Sequence, residues 1–167
     1  GVWSVKLYDF LAQHGHEFGR RAAQKRVPDA VMRADTAGVA IFLRAMFDAE
    51  GWVEPGCQQV GITTASPRLA EELRHLLRRF GVWARISRKM KAATNGTRIA
   101  RAYWTLYIGG PSLRAFAERI GFGDSVKMTA LAGCVSKRTN PNRDLLPSEP
   151  IIRKLAEATA ISPKRLL

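Results

Sequence analysis

The sequence predicts an α+β domain: a four-stranded antiparallel sheet with helices on one face, in the order αββαββα. Three observations predict it. Apolar residues recur at helical spacing in 35–51, 66–81 and 110–121, and each stretch ends at a glycine. Pairs of strand-type segments separate these stretches, and the second pair flanks Asn95-Gly96, the strongest short-range hairpin signal. With 167 residues, 46% of them apolar, the chain is long enough for one domain or a little more with a real core.

Taken in order, residues 4–14 read as a helix that Gly15 stops, followed by the basic run Arg20–Arg26 and a short helix, Asp29–Arg33, behind Pro28. The central helix begins at Asp35 or Thr36, either of which can accept the first free backbone N–H groups. Val39, Phe42, Leu43, Met46 and Phe47 give it a broad apolar face, and Gly51 is expected in the left-handed conformation that closes the last turn. Ala45 and Ala49 at i, i+4 are small enough to let another backbone approach closely. Glu50 places a carboxylate where the helix dipole disfavours one, so it calls for a cation. Strands on either side of Glu54-Pro55-Gly56 follow, up to Thr64. Ser66-Pro67 then caps a helix whose buried stripe is Leu69, Leu73, Leu76, Leu77 and Phe80.

In the hairpin, 82–91 and 98–108, alternation assigns Val82, Ala84, Ile86, Met90, Trp104, Leu106 and Ile108 to the core side. The opposite side carries Trp83, Arg85, Ser87, Lys89, Lys91, Arg101, Tyr103, Thr105 and Tyr107, which is basic, aromatic and hydroxyl-bearing without an acid. Helices at 111–120 and 125–134 complete the unit. The expected organisation is a helical segment 1–34, a domain 35–134, and a basic linker with a C-terminal helix, 135–167. There Leu155-Ala156 and Ile161-Ser162 resemble the opening of a helix-turn-helix without its recognition helix.

Charge narrows the function. Lys and Arg number 27 against 14 Asp and Glu, a net of +13, which draws the chain to polyanions, nucleic acid first among them. No apolar run approaches the ~18 residues that would span a bilayer, and no signal peptide opens the chain, so no membrane role is expected. Cys57 and Cys134 lack metal or disulfide spacing, which fits a reducing, cytoplasmic setting, and His14, His16 and His75 lack ligand spacing.

The stretch Leu43-Arg44-Ala45-Met46-Phe47-Asp48-Ala49-Glu50-Gly51 resembles the signature of LAGLIDADG homing endonucleases, especially those carried by inteins. The strand and helix order after it, Lys25-x-x-Pro28 before it, and Gly121-Phe122 with Lys127 after it add to the likeness, which covers about residues 1–147. The resemblance implies site-specific cleavage of double-stranded DNA. Two signature helices pack through positions such as Ala45 and Ala49, and each presents one carboxylate, here Glu50 with the Gly51 carbonyl beside it, to hold Mg²⁺. It also implies that Lys25 and Lys127 stand near the scissile phosphates. The sheet would lie in the major groove, with Gln59 and Thr63 joining Arg85, Ser87, Lys89, Lys91, Arg101, Tyr103, Thr105 and Tyr107 as DNA contacts.

Only one signature is present, and 1–34 resembles the end of a first repeat. The second helix would therefore come from a second copy or from a missing first repeat, unless the chain is an inactive remnant. A non-catalytic DNA-binding regulator and an RNA maturase use the same scaffold and stay open as alternatives. Splicing ends are absent. Asp48 reads as a local hydrogen-bonding group, and Trp52, Trp83 and Tyr103 either stack on sugars or cover the sheet.

Overall fold

The computed structural model describes residues 5–15, 19, 21–91, 100–137, 154 and 157–158. Along them run α1 (Val5–Gln13), a 3-10 turn (Ala22–Gln24), α2 (Asp29–Arg33), α3 (Thr36–Glu50), β1 (Gly51–Glu54) and β2 (Gln59–Thr64). There follow α4 (Pro67–Arg78), β3 (Ala84–Lys91), β4 (Arg101–Gly109), α5 (Pro111–Arg119) and α6 (Ser125–Val135). The strands form one antiparallel sheet in the order β1-β2-β4-β3. This is the α+β arrangement that the pattern predicts.

The helices start where side chains satisfy their free amides. Asp35 Oδ1 accepts from Gly38 N at 2.8 Å, Ser66 Oγ from Leu69 N at 3.1 Å, and Asp124 Oδ1 from Lys127 N at 2.9 Å. Gly81 and Gly121 close α4 and α5 with φ of +67° and +63°. Gly51 does not follow that rule. Its φ is −82° and ψ 160°, so α3 passes straight into β1 without a left-handed residue. Glycine is needed there for space: a Cβ would lie 2.5 Å from the Phe47 carbonyl oxygen and 2.9 Å from Phe47 Cδ1.

One sheet face packs on the helices. Val53, Val60, Ile108 and Ala84 lie across the sheet in one row, and Gly51, Ile62, Leu106 and Ile86 in the next. Against them sit Val39, Leu43 and Phe47 of α3, the leucines of α4, Phe116 of α5, and Leu131 and Cys134 of α6. Phe47 meets Phe116 edge-on at 4.9 Å between centroids, and Phe122 closes the trio at 5.5 Å from Phe116. The segment before α3 belongs to this core. Val27 is 1% exposed and its N–H donates to Glu72 Oε2 at 2.7 Å.

Met90 departs from its assignment to the core side. It is 58% exposed, because it sits at the end of β3, where every residue from Arg88 to Lys91 is exposed. The Asn95-Gly96 turn, most of the C-terminal helix with its helix-turn-helix likeness, and the linker beyond 137 lie outside the described residues.

Candidate functional site

The C-terminal end of α3 is tied to α6 from both sides. Lys127 Nζ donates to the carbonyls of Asp48 at 2.6 Å and Phe47 at 3.3 Å. The Asp48 carboxylate in turn accepts the Gly123 amide at 3.0 Å and the Asp124 amide at 3.2 Å. Arg44 adds a third tie, donating from Nε to the Ile120 carbonyl at 2.7 Å. The cation that offsets the helix dipole is therefore Lys127, and it is spent on main-chain oxygens. Asp48 is a long-range anchor and not a local one. Glu50, one residue before β1, is exposed and forms no ion pair among the described residues.

The rest of α3 shows two characters. Val39, Leu43 and Phe47 are buried, while Ala37, Ile41, Ala45 and Ala49 form an exposed stripe at i, i+4 spacing, with Ile41 68% exposed. Lys25 follows the 3-10 turn with its side chain exposed, and its carbonyl accepts from Ser66 Oγ at 2.6 Å. Ser66 lies just past the end of β2, and β2 pairs Ile62 with Gly51. The Lys25 backbone is thus held at the sheet end where Glu50 stands.

The register places all ten proposed DNA contacts on the sheet face away from the helices. Tyr107 and Arg85 lie level with Gly61, Thr105 and Ser87 with Thr63, Tyr103 with Lys89, Arg101 with Lys91, while Gln59 heads β2. Trp52 crosses Gly61 so closely that any Cβ there would enter its ring, and it meets Tyr107 edge-on at 5.8 Å. Trp52 therefore covers the sheet. Arg85 sits 4.9 Å above the Tyr107 ring. Thr105 is on this face but only 3% exposed, its hydroxyl sharing a 2.9 Å hydrogen bond with Thr63. It supports its neighbours more than it reaches outward. Glu54 puts one acid on the face, opposite Gln59, which alternation in the hairpin alone did not include.

Among the described residues no group of three or more His, Cys, Asp or Glu side chains is gathered to hold a metal ion, and no helix is long and apolar enough to cross a membrane. One carboxylate end, one exposed helix stripe and one cationic sheet face are what the fold brings together.

Comparison with known proteins finds sequence relatives. The chain is 34% identical over 146 residues to the replication factor C small subunit of Methanocaldococcus jannaschii, covering 87% of this chain and 7% of that protein. It is 30% identical over 139 residues to the glutamine–fructose-6-phosphate aminotransferase of the same organism, covering 83% and 12%. To RecA of Mycobacterium tuberculosis it is 32% identical over 123 residues, covering 66% and 16%. The chain thus spans well under a fifth of the length of these relatives. The LAGLIDADG-like domain family matches residues 37–121, from the first turn of α3 to the glycine that closes α5. That family is one of homing endonucleases, usually nucleases that use a divalent metal, and related DNA-binding proteins. By the signature helix, the sheet order and this match, the chain belongs to the LAGLIDADG-like domain family.

Proposed function

We propose that this chain is one half of a homing-type endonuclease that cuts double-stranded DNA at a defined site once two signature helices have met. The observation that carries the reading is the division of α3. One face fills the chain's own core, while Ala37, Ile41, Ala45 and Ala49 stay exposed and run down to Glu50. Small side chains at this spacing let a second helix approach closely, and a twofold pairing across them brings two Glu50 ends together. The second helix comes from another copy of this chain or from another repeat of a longer parent protein.

Two carboxylates and a DNA phosphate offer hard oxygen donors of the kind Mg²⁺ prefers. Glu50 fits that donor set, and Gly51, having no side chain, would contribute only its backbone carbonyl. One chain supplies one such carboxylate, and the paired helix supplies the other. Bound there, Mg²⁺ would supply an activated water and offset charge on the leaving oxygen. The chain's own residues do the positioning: Lys127 holds the helix end that carries Glu50, and Lys25 brings an exposed cation to the same end of the sheet. The ten-residue cationic face lies in the major groove.

The relatives support an intein-type module. A replication factor subunit, an aminotransferase and RecA share no common task in their names, yet each matches this chain over 7–16% of its length. A mobile insert carried by unrelated hosts produces that pattern. Organisation into 1–34 as the end of a first repeat and 35–134 as the second repeat belongs to the same reading.

The test is cleavage of a plasmid library of candidate sites by wild type and Glu50→Gln, with Mg²⁺ or with a chelator. Wild type is expected to nick or linearise its site only with Mg²⁺, and Glu50→Gln to bind equally well without cutting. Binding without cutting by wild type would leave a DNA-binding regulator. Preference for RNA over duplex DNA would leave a maturase.

A further inference from the structure

We infer that the chain also grips duplex DNA through Trp83 and Arg78, beside a cleft at the end of β1 opposite Glu50, where the pair takes the sugar–phosphate backbone flanking the stretch the sheet faces. The inference rests on the DNA-binding part of the reading above and is independent of cleavage. The cleft has a volume of about 470 Å³ and is lined by Gln59, Trp83, Arg85, Tyr107 and Ser112 among others, with no carboxylate in its walls.

Its position follows from the register. Gln59 pairs with Glu54 and Gly109, three places along the strands from the Gly51–Ile62 pair. Three residues of extended strand are about 10 Å. The cleft therefore lies at the other end of β1 from Glu50.

Trp83 is the odd residue. It is 65% exposed, the sole aromatic among the exposed large apolar side chains that are described. Yet it is fixed in place: its backbone N–H donates to the buried Ser112 Oγ at 3.0 Å, and the Arg78 guanidinium lies 5.3 Å over its ring. Arg85 is held the same way on Tyr107, at 4.9 Å. A guanidinium held over a ring by its cationic carbon spends none of its N–H groups on that contact and keeps them for phosphate oxygens. The indole offers an apolar surface, and in a stacked duplex the exposed partner for it is deoxyribose, since the bases are unavailable. Arginine on phosphate with indole on sugar is a sequence-independent clamp.

The test is equilibrium binding of a short random-sequence duplex across a range of NaCl concentrations, with circular dichroism to establish that each variant is folded. Wild type is expected to bind with a steep salt dependence. Arg78→Ala should lower the slope of log K against log salt by about 0.9, the value for one phosphate contact. Trp83→Ala should weaken binding several-fold with the slope unchanged, and Trp83→Phe should recover most of that loss. Arg114→Ala removes the same charge from the exposed side of α5, away from the cleft, and should leave the slope as in wild type. If wild type binds but Arg78→Ala and Trp83→Ala match Arg114→Ala, the clamp is overturned and the sheet face stands. If wild type shows no salt-dependent binding, the DNA reading itself falls.

Discussion

Lys127 Nζ donates to the Asp48 carbonyl at 2.6 Å, while the Asp48 carboxylate takes the Gly123 amide at 3.0 Å, so each of two elements 75 or more residues apart caps the other. The arrangement puts opposite charges where the dipoles ask for them: a cation at the carbonyl end of α3 and a carboxylate just before the amide end of α6. It also frees Glu50 from any part in holding the fold. Asp48 holds the end of α3, and Glu50, two residues on, is left for the proposed chemistry, so the two roles can be separated by substitution.

Lys127→Met should lower stability by about 2 kcal/mol, the worth of hydrogen bonds made by a charged, part-buried donor. Asp48→Ala should cost about 1 kcal/mol, less because its amide contacts are solvent-facing. Glu50→Gln should leave stability within about 0.5 kcal/mol. Denaturant melts of the three variants check the ranking. A Glu50→Gln loss equal to that of Lys127→Met would place Glu50 in the fold and not in the site.

Gly51→Ala should destabilise by about 3 kcal/mol, at the upper end for overpacking, because the added methyl meets the backbone of Phe47. Gly61→Ala should be comparably costly for a different reason, since the obstacle is the Trp52 side chain. Trp52→Ala should therefore recover part of the Gly61→Ala loss and none of the Gly51→Ala loss. A double-mutant cycle measured by denaturant unfolding reads the coupling directly.

Ile41→Asp should leave the melting curve of the single chain nearly unchanged, because the side chain is already in water. It should abolish pairing and, with it, cleavage. Mass in solution at high concentration is expected to fall from a pair to one chain. A single-chain mass for wild type assigns the second helix to another repeat.

Cys57 is exposed and Cys134 buried, so an alkylating reagent should take up one equivalent quickly and the second only after denaturation. Burial pushes the Cys134 thiol above its ordinary value, with Lys137 pulling partly the other way. The unfolded chain therefore loses that proton at lower pH than the folded one. The sign is that stability falls as pH rises through the ordinary cysteine range and is unaffected below it. Melts of wild type and Cys134→Ala at rising alkaline pH check it.

Much of the candidate site is legible in the sequence because its signals are periodic or short-range. Alternation along two strands was enough to gather Arg85, Ser87, Lys89, Lys91, Arg101, Tyr103, Thr105 and Tyr107 on one face, and register adds Gln59 and Thr63. The motif picked out Glu50. What alternation could not supply was depth. It does not distinguish Thr105, enclosed in the middle of the sheet, from its exposed neighbours, nor does it reveal that the end of β3 is exposed from Arg88 to Lys91 and leaves Met90 in water. Trp83 was visible as an exposed aromatic candidate, but its partners Arg78 and Ser112 come from two other elements.

The sequence by itself determined the order of helices and strands, the Ser66 cap, the buried stripes, and a carboxylate stranded after Phe47. Each of these depends on residues within a turn or two of one another, where spacing and side-chain chemistry suffice. Only the tertiary structure decided that Lys127 is spent on the carbonyls of α3, that Asp48 reaches across to Gly123, and that Gly51 is glycine for want of space. Those outcomes depend on which surfaces meet when the sheet closes on its helices. Contacts between residues 75 or more apart are set by packing, which no local pattern encodes.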